Sequence, residues 1–94
     1  MAFKVKWTRH AKQRALERDI SEKDVAFVVN NPIETIYDDG RENYKSVALV
    51  NHQLTNQPAY LMVVHSKFNT RVSIISVMWQ TTGGLQRNGF SKIR

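Results

Sequence analysis

The chain contains no cysteine, which excludes a disulfide framework and any thiolate-held metal. Its three histidines, His10, His52 and His65, are too scattered for a zinc site, so no metal or other cofactor is expected. No apolar run approaches the length of a membrane span. The opening residues, MAFKVKWTRH, lack the hydrophobic stretch of a signal peptide. A soluble, cytoplasmic protein with no membrane partner is therefore expected. Gly83-Gly84 is the only glycine pair and is too short for a phosphate-cradling loop. Repeats and low-complexity segments are absent, and 94 residues with 41% apolar content suit one domain with a modest core.

Acidic residues are missing from most of the chain. All eight lie between Glu17 and Glu42. Residues 1–16 carry a net +5, residues 17–42 carry −5, and residues 43–94 carry +6 with no carboxylate at all. If the two acid-free segments fold together, one side of the domain is strongly positive. Such a side favours a polyanion or an acidic protein partner.

The pattern predicts an α+β domain. FKVKW, residues 3–7, alternates apolar and basic, as a half-buried strand does, with Phe3, Val5 and Trp7 inward. Thr8 reads as an N-cap for a helix from Arg9 to Arg18 whose thin apolar face is Ala11, Ala15 and Leu16. Ser21, with Asp24 three residues on, begins a second helix on Val25, Val28 and Val29. Asn30-Asn31-Pro32 stops it. Sheet follows: a strand over 33–38, an Asp39-Gly40 turn, a strand over 44–50, a polar loop over 51–58, a nearly all-apolar strand over 60–66, a turn over 67–70, and a strand over 71–79. TTGG ends the regular pattern. The expected architecture is two N-terminal helices on a four- to five-stranded antiparallel sheet. The domain takes in residues 1–80, and residues 81–94 form a basic C-terminal tail.

His10, Arg14 and Arg18 fall about 40° apart on the helical wheel and make one stripe. A neutral imidazole at position 10 can accept a proton, and Arg14 can hold a phosphate. These are parts for cleaving RNA without a metal, where a base takes the 2′-hydroxyl proton and cations stabilise the phosphorane. Arg18 has a preferred structural reading, an ion pair with Asp24 or Glu22 that locks the helices. In the sheet, Lys45, His65 and Arg71 stand out as polar residues on apolar strands. Whether His65 and Arg71 share a face depends on the turn: pairing Ser66 with Arg71 separates them, and pairing Lys67 with Arg71 unites them. Trp79, ending a strand before Gly83-Gly84, is the best base-stacking candidate; the other aromatics read mostly as core. Arg87 and Lys92 can clamp a phosphate or stay solvated.

The stretches HAKQRALERDISEKDV and NNPIETIYDDGRENY resemble a bacterial domain family of unknown function. Its pattern is matched at His10, Ala11, Arg14, Arg18, Ile20, Ser21, Val25, Asn31, Pro32, Gly40 and Arg41. That family is grouped with RelE/ParE-like and barnase/EndoU/colicin-type (BECR) ribonuclease toxins. The resemblance implies a RelE-like fold and a metal-independent endoribonuclease encoded beside an antitoxin, with His10 and Arg14 as shared polar positions. It matches the toxins' sheet and C-terminal cations only loosely, to Lys45, Arg71 and Arg87. The combined expectation is a toxin-like endoribonuclease acting on RNA, free or ribosome-bound, with an acidic antitoxin as partner. Its catalytic set is His10, Arg14, Arg71 and Lys45; its RNA contacts are Arg18, His65, Trp79 and Arg87. The rival expectation is a non-catalytic module that binds nucleic acid or an acidic protein.

Overall fold

A computed structural model describes residues 3–93. The elements run β1 (Lys4–Trp7), α1 (Arg9–Glu17), α2 (Glu22–Asn30), β2 (Glu34–Asp38), β3 (Asn43–Asn51), β4 (Pro58–Phe68), β5 (Arg71–Gln80) and α3 (Thr82–Arg87). Thr8 caps α1 by accepting the Ala11 N–H at 3.1 Å, and its hydroxyl donates to the Ile74 carbonyl at 2.9 Å. One side chain thus starts the helix and ties it to β5. The helix ends where Asp19 takes a left-handed φ of 56°. The Ile20 N–H then reaches back to the Ala15 carbonyl at 2.9 Å, closing a Schellman-type turn. Ser21 caps α2 through the Asp24 N–H at 3.0 Å.

All five strands form one sheet in the order β1-β5-β4-β3-β2. β2 to β5 are antiparallel neighbours, but β1 runs parallel to β5. The sheet is therefore mixed, which corrects the all-antiparallel expectation. The short connections 39–42, 52–57 and 69–70 leave only antiparallel pairing open to β2 to β5. β1 pairs with a strand some sixty residues away, so no turn fixes its direction.

Helices α1 and α2 cover one face. Ala11 and Ala15 of α1 and Val25, Val28 and Val29 of α2 pack on Ala48, Leu61, Val63, Val72, Ile74 and Val77 of the sheet. On the other face Val47, Met62 and Val64 meet Leu85, Phe90 and Ile93. β4 is buried on both sides, and this is why Leu61 to Val64 reads as an unbroken apolar run.

Residues 81–93 are folded, not a loose extension. Thr81 caps α3 through the Gly84 N–H at 3.0 Å. Glu34 accepts the Ser91 and Lys92 N–H groups at 3.0 and 2.8 Å, and Phe90 and Ile93 are each 3% exposed. This cover lies over β2, β3, β4 and part of β5. The β1 side of the same face stays open.

Candidate nucleic-acid interface

The open region is built by the alternation in FKVKW. Val5 and Trp7 turn toward the helices, so Lys4 and Lys6 point to the other face. Lys4 pairs with Arg71 and Lys6 with Ser73 across β1 and β5. Arg71 in turn pairs with Phe68, and Ser73 with Ser66, across β5 and β4. Two rows result, Lys4-Arg71-Phe68 and Lys6-Ser73-Ser66, around a recess of about 500 Å³. Neighbours within a row lie about 5 Å apart and the rows about 7 Å apart. Lys4, Lys6 and Arg71 are exposed. The ion pairs among the described residues are Arg14–Glu17 and Lys45–Asp38, so no carboxylate neutralises these three cations there. The acid-free ends of the chain do meet, but around Lys4 and Arg71 and not around His10.

The residues expected to make a catalytic centre do not converge. His10 is exposed on α1 with no hydrogen-bond partner among the described residues. The Arg14 guanidinium is engaged by Glu17 at 2.8 Å, and that hydrogen bond holds the Glu17 carboxyl below its usual range. Lys45 lies on the face opposite the two helices, where Asn88 accepts its ammonium at 3.2 Å and Asp38 sits at 3.6 Å. Arg87 is exposed in the last turn of α3, on that face. Arg71 shares the face with Lys45 but stands on the far side of the sheet. The expectation of one cleft fails because His10 belongs to a helix on one face while Lys45 and Arg71 point from the other.

Arg18 and Trp79 are structural. Arg18 donates to the Val77 carbonyl at 2.7 Å, and its own carbonyl accepts the Trp79 indole N–H at 2.7 Å. The locking role expected of Arg18 is real, but it clasps β5, and no ion pair with Asp24 or Glu22 forms. Trp79 packs on the helix-side core and against His52, with ring centroids 4.3 Å apart, and so lies on the face opposite Lys4, Lys6 and Arg71.

The β4–β5 turn pairs Phe68 with Arg71, and this places His65 and Arg71 on opposite faces. His65 is buried at 3% exposure beneath the helix side. Its Nδ1 lies 3.0 Å from the Ser66 carbonyl and its Nε2 lies 2.8 Å from the Ser46 hydroxyl, which is 2.8 Å from Thr35 Oγ1. A carbonyl only accepts, so Nδ1 carries the proton and the bare Nε2 accepts from Ser46. Tyr44 stacks on the ring at 5.8 Å. Burial pushes the His65 pKa down, keeping the ring neutral. These groups line a small cavity of about 170 Å³. With Ser46 at 1% exposure, the Ser46–His65 bond is a satisfied core contact.

Sequence reasoning passed over Lys4, Lys6 and Phe68. The signal for the lysines was present, because the alternation that sent Val5 and Trp7 inward sends them to the opposite face. For Phe68 there was none, since nothing in the sequence shows that cover stops short of it. Among the described residues no group of three His, Asp or Glu is placed to hold a metal ion. No helix is long and apolar enough to cross a membrane.

No curated protein and no solved structure matches the chain. Residues 7–79 match one family, from the end of β1 to Trp79 of β5. The match takes in α1, α2, β2, β3, β4 and nearly all of β5 but only the last residue of β1, so Lys4 and Lys6 lie outside it, and the chain belongs to the family described as Domain of unknown function (DUF4258).

Proposed function

We propose that this chain is a nucleic-acid-binding module that holds RNA by its phosphate backbone on the open, basic half of the sheet. One observation carries the reading: β1 pairs with β5, setting Lys4 beside Arg71 and Lys6 in the next row, with no carboxylate against them among the described residues. Cations repeated along a strand and interleaved with serine hydroxyls are groups that take phosphate oxygens. Counterion release then supplies the binding free energy. The resemblance to ribonuclease toxins supports RNA as the polyanion. An acidic antitoxin-type protein would cover the same cations.

The geometry supports binding over cleavage. Endoribonuclease chemistry needs a base beside the cations that hold the phosphate. His10 follows Trp7, the far end of β1 from Lys4, about 10 Å away along the strand, on a helix that packs against the opposite face.

Anisotropy of a labelled single-stranded RNA, measured in EDTA from 50 to 200 mM salt, tests the reading. Log Kd should rise linearly with log salt concentration. Replacing Lys4, Lys6 and Arg71 together by alanine should reduce the slope by about two. Absence of binding, or a triple variant indistinguishable from the parent, would overturn the proposal. The same mixtures run on a gel should show intact RNA. Cleavage that is lost in His10→Ala and Arg14→Ala would establish the endoribonuclease instead.

A further inference from the structure

We infer that the strand held on this surface is single-stranded, with one base stacked on Phe68. The inference rests on the nucleic-acid reading above and adds the substrate class. Phe68 is the last residue of β4 and is 75% exposed. The helices cover the other face of the sheet, and on this face the α3 segment covers β2, β3, part of β5 and the Met62–Val64 stretch of β4 but not its Phe68 end. The ring therefore contributes to neither core, and packing gives no reason for a phenylalanine there. Its position has a reason in binding. Phe68 stands in one row with Arg71 and Lys4 and lines the same recess. Phe68 and Lys4 stand about 10 Å apart, two strand spacings, with Arg71 between them, so the phosphates next to a base on Phe68 fall beside the two cations. Aromatic rings beside a cationic track are the device by which proteins hold single strands regardless of sequence. A duplex offers phosphates to the cations but no free base face to the ring, because its bases are paired and stacked on each other.

The test compares a twelve-nucleotide oligo-uridine with a twelve-base-pair RNA duplex, measured by anisotropy against the parent, Phe68→Ala, Phe68→Leu and Phe68→Trp. The parent should prefer the single strand. Phe68→Ala should lose about five- to a hundredfold on it, with duplex affinity unchanged. Phe68→Leu keeps apolar bulk but has no π face, and should lose affinity nearly as far. Phe68→Trp should retain binding and gain a fluorescence signal that the oligo-uridine quenches. Melting temperatures should match the parent throughout, since the side chain packs on neither core. Single-strand binding that is indifferent to Phe68→Ala, or an equal loss on single strand and duplex, overturns this inference and leaves the phosphate-backbone reading standing. No binding to either RNA overturns both.

Discussion

His65 donates from Nδ1 to the Ser66 carbonyl and so presents a bare Nε2 to the Ser46 hydroxyl. A second proton on the ring would occupy Nε2. Ser46 would then have to reverse its hydroxyl toward Thr35, and a cation would be left in the core. Burial accordingly sets the folded pKa below the ordinary 6.5. The unfolded chain binds a proton near 6.5 while the folded chain does not, so stability falls as pH drops through that value toward the folded pKa. Above about pH 7.5 both states are neutral and the contribution is flat. The urea midpoint of the parent should therefore decrease from pH 7.5 to pH 5.5, and His65→Gln should flatten that dependence. The sequence marked His65 as unusual, a histidine ending the most apolar strand. It could not say which face the ring took, because a one-residue difference in the β4–β5 turn reverses the answer. Arg18 shows the same division. Its locking role was legible from its place at the end of α1, but its partner, a backbone carbonyl of β5, was not.

At the scale of elements, what was legible is what local chemistry dictates. Thr8 and Ser21 cap the helices they were expected to cap, and the valine spacing of α2 sits on the core. α3 escaped because its sequence, TGGLQR, is poor in helix propensity. It forms because Thr81 caps it and Leu85 is fully buried. Gly84 suits the position, since a Cβ there would run into the Gln80 and Thr81 side chains. The segment after α3 belongs to the core. Phe90→Ala should lower the unfolding free energy by about 3–5 kcal/mol, read from a urea titration. A variant that unfolds at the parent's midpoint would show the segment to be loosely attached. Glu34 is half of this clasp: the Lys92 and Ser91 N–H groups hold its pKa below the ordinary value. Its contribution is thus present above pH 4.5 and fades as the carboxyl takes up a proton below it.

Across the whole molecule, charge is segregated by topology. The acid-free beginning and the acid-free later half become neighbours because β1 joins the sheet beside β5 and α1 packs on the same strand. The acidic segment supplies α2, β2 and the turn after it, and β2 is the opposite edge of the sheet. The β1 side carries Lys4, Lys6 and Arg71 with no carboxylate against them among the described residues, whereas Arg14 is engaged by Glu17, Lys45 by Asp38 and Asn88, and Arg18 by a carbonyl. Consequently Arg14→Ala or His10→Ala should leave the salt slope of RNA binding at the parent's value, in the same anisotropy titration that detects the Lys4, Lys6 and Arg71 triple. A slope that falls with Arg14→Ala would move the binding surface to α1.

Composition, capping residues and hydrophobic period determined the first two helices, the order of strands along the chain and the existence of an acid-free basic surface, because each of these is a local or additive property of the residues. Only the tertiary structure decided the direction of β1, the face of His65 and the neighbours of every cation. Those depend on pairings between residues far apart in the chain, where a one-residue change of register exchanges one face of the sheet for the other.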